Sequence, residues 1–434
     1  MILSGYLLEF AHPTDPTAAI LFSTRSGAQV VIDHDSLASL RRGEPVAGNQ
    51  ALADIGMLVA DHQQERYEVH GFVEQVNRLS DHLSVAVILG MHCNFSCTYC
   101  YEGSLKGAFA MADDTLAQLV RFVVEQGLAQ GKSSIRLDFY GGEPFLYMEK
   151  IKEISHRLKK ALAVSNSSYD FVLVSNGSLM TRQRVEELLP LGLSGIRLTV
   201  DGPAELHNAT RPFAGGGGSF AQILANIKQC AGLVPLRLGG NYSRDTYQRF
   251  PEMFAELAAA GVEPGAFETI RFFPVMQPDE RFSALGFHGG CSSVTENWLP
   301  EAAIFLREQL WRHGCLQQTS MPTPCMVDRD DAFTIHYDGS IYQCPALVGQ
   351  EELICGDIWQ GMTDYDNQYD RHNWQHHQEC RDCIYLPLCL GGCRYMKYRS
   401  HGSMDVDCKK FFLDATLEHF VRQDVRYRHG IPAQ

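Results

Sequence analysis

Fourteen cysteines in 434 residues fall into one tight group, one dense field and scattered singles. The tight group is Cys93-Asn94-Phe95-Ser96-Cys97-Thr98-Tyr99-Cys100. Thiolates spaced C-x₃-C-x₂-C can hold three irons of a cubic iron–sulfur cluster, leaving the fourth iron open to a small ligand. The dense field holds Cys325 and Cys344, with Gly339 between them, then Cys380, Cys383, Cys389, Cys393 and Cys408. The singles are Cys230, Cys291, Cys315 and Cys355. So many thiols without a secretory signal point to metal chemistry rather than disulfides. Between the two groups lie polar turns with chemical potential. Gly141-Gly142-Glu143-Pro144 combines close backbone approach with a carboxylate. Ser175-Asn176-Gly177 and Asp201-Gly202-Pro203 follow, with His207 and Arg211 downstream, and Arg211 suits a carboxylate because guanidinium binds one bidentately.

These residues need a scaffold, and residues 83–290 supply one by alternating strand and helix. The strands are expected at Ser84–Leu89, Ile135–Tyr140, Asp170–Ser175, Gly195–Val200, Leu236–Gly240 and Thr269–Phe273. Helices are expected at Asp113–Ala129, Met148–Ala163, Thr181–Leu189, Ser219–Ala231 and Thr246–Ala260. Repeated strand–helix units imply a parallel sheet with right-handed crossovers. Six units give an open, partial (β/α)6 TIM-like barrel of the α/β class. Every turn named above falls at the carboxyl end of a strand, where such barrels place their active residues.

Residues 1–80 read as a separate module. Ile20–Thr24 and Gln29–Ile32 form a hairpin, Asp35–Leu40 a short helix, Gln50–Val59 a second and Glu68–Arg78 a third. The order suits a winged-helix-like unit that takes a peptide as an added strand, or one that only packs on the barrel. Residues 291–434 open with a helix, Thr295–His313, and then become loop-rich, as a metal-held domain does. The domains are therefore expected at 1–80, 81–290 and 291–434.

The Cys93/Cys97/Cys100 motif with Gly141–Pro144 resembles the radical S-adenosylmethionine superfamily. The resemblance implies that S-adenosylmethionine binds the open iron and is cleaved to a 5′-deoxyadenosyl radical. It implies cofactor contacts from Tyr99, packed near the adenine, and from Gly141, Gly142, Glu143 and Pro144 at the methionine amino group. Ser175, Asn176, Asp201 and Arg211 would complete the site. The later cysteines resemble the seven-cysteine SPASM extension of peptide-modifying radical enzymes. That implies one auxiliary cluster on Cys325, Cys344 and Cys393 and another on Cys380, Cys383, Cys389 and Cys408, three [4Fe–4S] clusters in all. Two auxiliary cubes take eight ligands and the pattern supplies seven. Cys315, Cys291 or Cys355 completes the set, or one iron stays open to a substrate thiolate. A zinc ribbon on Cys380–Cys393 leaves Cys325, Cys344 and Cys408 unexplained.

Sulfatase-maturing relatives carry an acidic residue after the cysteine matched by Cys344. Here Pro345-Ala346 follow, which argues against oxidation of a sulfatase residue. From Leu3-Ser4-Gly5-Tyr6-Leu7 through Gly240-Asn241-Tyr242-Ser243-Arg244-Asp245, the chain resembles the geopeptide radical SAM maturases. Two chemistries follow for a ribosomally made precursor peptide with a leader. One is a Cys thioether crosslink; the other is epimerisation or carbon–carbon coupling, the former needing a hydrogen-donating thiol such as Cys291 or Cys355. An iron–sulfur electron carrier is the non-enzymatic alternative, which the intact first motif disfavours. A reductase, flavodoxin or ferredoxin would supply the electron. A net charge of −14 disfavours nucleic acid. With no apolar run long enough for a membrane span and no signal peptide, a cytoplasmic enzyme is expected.

Overall fold

The computed structural model describes residues 1–165, 167–277, 289–363, 365–366 and 368–428. The N-terminal module is built on an antiparallel sheet. Strands β1 (Ile2–Leu3), β2 (Leu7–Ala11), β3 (Ala18–Ser23) and β4 (Gln29–Asp33) come first, and β5 (Leu58–Val59) returns to pair with β1. The order β2-β3-β4 makes β3 central, and its six residues are all buried. Period-two alternation sends them to two different cores. Ala19 and Leu21 meet Leu37, Leu40 and Leu52 of the module's own helices. Ile20 and Phe22 meet Tyr385, Leu417, Val421 and Val425 from the C-terminal region.

The helices of this module differ from the sequence expectation. The helix expected over 50–59 stops at Asp54, because the chain turns at Gly56 with φ +79° and Leu58–Val59 become β5. The helix expected over 68–78 is two helices, His62–His70 and Phe72–Leu79, divided by Gly71. The first begins six residues earlier than expected because Asp61 accepts the Gln64 amide as its N-cap.

The barrel strands are β6 (His82–Ile88), β7 (Ser134–Tyr140), β8 (Ser168–Ser175), β9 (Leu193–Thr199), β10 (Leu236–Tyr242) and β11 (Thr269–Pro274). All six are parallel, in the order β11-β10-β9-β8-β7-β6. Their intervening helices include Asp113–Ala129, Met148–Leu162 and Phe220–Cys230. Val85, Val87, Leu137 and Phe139 are fully buried beneath these helices. Intervening residues such as Asp138 and Tyr140 point to the opposite, concave face. The sheet continues past β6 with β12 (Ala332–Ile335), parallel to it, and β13 (Ile341–Tyr342), antiparallel to β12. These two strands come from beyond residue 291, so the sheet spans that sequence boundary. The ends, β11 and β13, do not pair, and the barrel is open. In the C-terminal region two helices, Trp298–Arg312 and Lys410–Arg428, lie together and share the Arg307–Asp424 ion pair at 2.7 Å. No described helix is long and apolar enough to cross a membrane.

Candidate active site

The first cysteine loop leaves the carboxyl end of β6 and folds over the ends of β7 to β10. Cys93 accepts the Phe95 amide at 3.4 Å. Burial pushes the Cys93 thiol up to about 11 and the Cys100 thiol up to about 12. Such thiols stay protonated until a metal displaces the proton. Beneath them, Gly141 and Gly142 both have positive φ, +75° and +54°. A Cβ at Gly142 would meet the His92 carbonyl oxygen at 2.4 Å. The glycines therefore let the β7 turn press against the backbone that precedes Cys93.

Glu143 was expected to offer its charge to an ammonium group. Here its carboxylate is fully buried and occupied by the protein's own donors. It accepts the Ser175 hydroxyl at 2.8 Å, the Asn176 amide at 2.8 Å and the Phe145 amide at 3.1 Å. Glu143 thus ties the end of β7 to the end of β8. The carboxylate that faces the cavity is Glu102, which accepts the Gly142 amide at 3.0 Å. Its only sequence signal is an acid two places after the last motif cysteine. Asn176 reaches back to the cysteine loop, donating to the Asn94 side chain at 2.8 Å.

Asp201 and Arg211 meet around Tyr99. The Tyr99 hydroxyl donates to Asp201, and it accepts from Arg211 at 2.7 Å and from Asn241 at 3.1 Å. Asp201 also accepts the Asn241 amide at 2.8 Å. His207 is held between the Asp201 amide and the Ser219 hydroxyl. Burial, with Arg211 nearby, lowers its pKa to about 3, so it is a neutral structural group. Arg211 lies over Phe95, 5.9 Å from the ring centroid. Its Nε is buried without a protein partner, which suits a carboxylate or polar ligand in the adjoining cavity.

That cavity has a volume of about 510 Å³ and is lined by Cys93, Cys97 and Cys100. Its lining includes Gly141, Gly142, Ser175, Asn176, Arg211, Asn241, Pro345, Ala346 and Tyr395. Tyr101, Tyr140 and Phe273 also line it. The two residues after Cys344 and the one two places after Cys393 thus face the same space as the first cysteine motif.

Among the later cysteines, Cys325 and Cys393 lie near Cys344, and Cys383, Cys389 and Cys408 lie near Cys380. Burial raises the Cys344 thiol, and the Cys325 and Cys393 thiols near it raise it further. The Cys380 thiol is raised to about 12 by burial and then by Cys389, Cys408 and Cys383. Among the described residues, no three His, Cys, Asp or Glu side chains converge on a single-ion position. A cube carries its thiolates on separate irons, so its ligands stand further apart than those of one zinc. The residues present fit S-adenosylmethionine and the clusters by the orphaned Arg211 Nε, the glycine cradle and the grouped thiols. Cys315 stands apart from both sets: burial alone raises its thiol, to about 11, and it packs in the core at the end of the Trp298–Arg312 helix. Cys355 is fully buried beside the Ile341 carbonyl, and Cys291 points at the Ser293 carbonyl. None of these three lines the cavity.

Residues 87–243 match the model of the Radical SAM superfamily, so this part of the chain is similar to a radical SAM domain. The cysteine-type anaerobic sulfatase-maturating enzyme of Clostridium perfringens (strain 13 / Type A) is 23% identical over 337 residues, 70% of this chain and 86% of that one. An AdoMet-dependent heme synthase of Methanosarcina barkeri is 22% identical over 343 residues, 71% of this chain and 90% of its own. Among solved structures, native anSMEcpe with bound AdoMet and Kp18Cys peptide superposes with a TM-score of 0.61 at 19% identity, covering 81% of this chain and 99% of that one. Streptococcus suis SuiB bound to precursor peptide SuiA gives 0.54 at 13% identity, covering 94% and 98%. At these identities the superpositions establish a common fold.

Proposed function

We propose that this enzyme closes a Cys thioether crosslink in a ribosomally made precursor peptide. The observation that carries the reading is the single cavity joining Cys93, Cys97 and Cys100 to Pro345, Ala346 and Tyr395. Pro345 and Ala346, which follow Cys344, and Tyr395, two places after Cys393, thus border the same cavity as the first cysteine motif, which supports this reading. When loaded, the first cluster with S-adenosylmethionine supplies a 5′-deoxyadenosyl radical that takes a hydrogen from a peptide carbon. Arg211, with Tyr99, Asp201 and Asn241, binds the cofactor's polar groups. Gly141 and Gly142 allow its methionyl end to approach the backbone, with Glu102 as the nearby anionic partner for its ammonium. Cys325, Cys344 and Cys393 would hold an auxiliary cluster, which with three protein ligands could take the peptide's cysteine as a fourth. Cys380, Cys383, Cys389 and Cys408 hold the other. A flavodoxin- or ferredoxin-type protein delivers the electron for cofactor cleavage.

Two features support this over the alternatives. Pro345 and Ala346 face the cavity where sulfatase-maturing relatives carry an acid, so that base is missing here. Epimerisation needs a thiol that returns hydrogen, yet Cys291 and Cys355 are outside the cavity lining. Mass spectrometry of the co-expressed precursor tests the proposal. Loss of two hydrogens per crosslink, with sulfur joined to carbon in the fragment ions, is the expected result. An unchanged mass with inverted chirality establishes epimerisation instead, and a crosslink without sulfur establishes carbon–carbon coupling.

A further inference from the structure

The loop carrying Cys380 and Cys383 is gripped by the N-terminal module at three points. Thr24, at the end of β3, donates through its hydroxyl to the Ile384 carbonyl at 2.6 Å. Arg66 pairs with Asp382 at 2.8 Å. His70 bonds the Arg381 carbonyl at 3.1 Å through Nε2 and rests against Trp374, ring centroids 5.1 Å apart. The contacts thus fall on residues 381, 382 and 384, immediately flanking Cys383. Tyr6 completes the enclosure. Only 8% exposed, it packs with Val69, Trp374 and Leu386 in a cluster that includes the side chains of Cys380 and Cys383. Its backbone is fixed by the Thr24 amide, which donates to the Tyr6 carbonyl at 3.0 Å. The opposite side of this cysteine set is open, since Cys408 is exposed.

We propose that the N-terminal module is a structural wall of the second auxiliary cluster site, with Tyr6 shielding Cys380 and Cys383 and Thr24, Arg66 and His70 positioning their loop. The inference rests on the reading of Cys380, Cys383, Cys389 and Cys408 as a cluster site. An apolar shell controls the access of solvent to such a group, and residues behind the ligands hold it in place. Tyr6 and its neighbours supply that shell from a different part of the chain. The module therefore couples whatever it binds to the environment of these thiols, through Thr24 at the end of its central strand.

The experiment follows iron release from the anaerobically reconstituted full-length protein to a ferrous chelator. In Tyr6→Ala, about four of about twelve irons are expected to leave roughly ten-fold faster than in the unsubstituted protein. Tyr6→Phe, which keeps the ring, is expected to release iron at the unsubstituted rate. The fast phase should vanish when Cys380, Cys383, Cys389 and Cys408 are replaced together by Ala. Leu37→Ala weakens the module's own core without touching the cysteine loop and should leave release unchanged. Equal rates in Tyr6→Ala and the unsubstituted protein overturn the proposal, as does equally fast release in Leu37→Ala. A reconstituted protein holding only about eight irons instead overturns the underlying three-cluster reading, before any Tyr6 comparison is made.

Discussion

At the residue scale, the site divides side chains that can meet a ligand from side chains that hold those in place. Cys93, Cys97 and Cys100 line the cavity, whereas Glu143 sits beneath it. Replacing the three cysteines with Ala is therefore expected to abolish 5′-deoxyadenosine formation, read by chromatography, while about eight irons remain on the later cysteines. Continued reductive cleavage in that variant would refute the motif's assignment. Glu143→Gln tests the other kind of residue. Its carboxylate accepts from Phe145, Ser175 and Asn176, and an amide cannot accept with both its atoms. One buried donor is left facing the Gln amino group, at a cost of about 1–3 kcal/mol. Thermal unfolding should show that loss, and cofactor affinity should fall because the Ser175–Asn176 turn is released. Unchanged affinity with the full stability loss would confine Glu143 to the fold. The cysteine motif and the turns were legible in the sequence because backbone approach and metal ligation need particular residue types. Glu143's inward aim was not legible, since the same carboxylate can face a ligand or cap a turn, and only tertiary packing decides.

At the element scale, the barrel strands followed the sequence expectation to within a few residues. The first four, β6 to β9, end at turns that chemistry also marked. The N-terminal module was less legible because its elements are short. Ile2–Leu3 and Leu58–Val59 are two-residue strands that exist only by pairing with each other, and no local pattern encodes a partner 55 residues away. The Lys410–Arg428 helix was hidden by its setting beside a cysteine-rich loop, though Leu413, Leu417, Val421 and Val425 recur every four residues. On the proposed reading, a leader peptide would add to an edge of the module's sheet. The Ser23 amide bonds the Ala28 carbonyl and the His34 amide bonds the Thr17 carbonyl. With the β3–β4 register pairing Ile20 with Val31, alternation turns the Val31 amide outward. Val31→Pro removes that outward donor and leaves the internal ladder intact. It should weaken precursor binding, measured by fluorescence anisotropy, by several-fold without changing the melting temperature. Glu9→Pro does the same to β2 on the opposite edge. If it alone lowers affinity, the leader adds to β2, and if neither does, the sheet edges are not the docking site.

At the scale of the whole molecule, three parts of the chain meet around the chemistry. The barrel supplies the first cysteine motif, the C-terminal region lines the same cavity with Pro345, Ala346 and Tyr395, and the module braces the Cys380–Cys383 loop. The continuous sheet makes the first two inseparable, because β12 pairs directly with β6, the strand that leads into Cys93. Cys325 lies just before β12 and Cys344 just after β13, and Pro345 and Ala346, which follow Cys344, line the cavity. This geometry bears on the chemistry. A thioether needs sulfur beside the carbon radical and an acceptor for the electron released as the bond forms. On the proposed reading, Cys325, Cys344 and Cys393 would hold a cluster that could offer a peptide thiolate a ligand position and accept that electron. Cys315 could fill that position only by leaving the core, where burial alone acts on its thiol. Cys315→Ala is thus expected to retain crosslinking within about two-fold, allowing for the modest cost of a small buried truncation. Precursor with its cysteines changed to Ser or Ala should emerge unmodified while the enzyme still cleaves S-adenosylmethionine. Adding Cys-containing peptide to the reduced enzyme should alter the electron paramagnetic resonance of one auxiliary cluster, and Ser-containing peptide should not. Loss of activity in Cys315→Ala would make that thiol the eighth ligand and close the iron. Normal product from a cysteine-free precursor would remove the thioether altogether, leaving carbon–carbon coupling or epimerisation as the reaction this cavity performs.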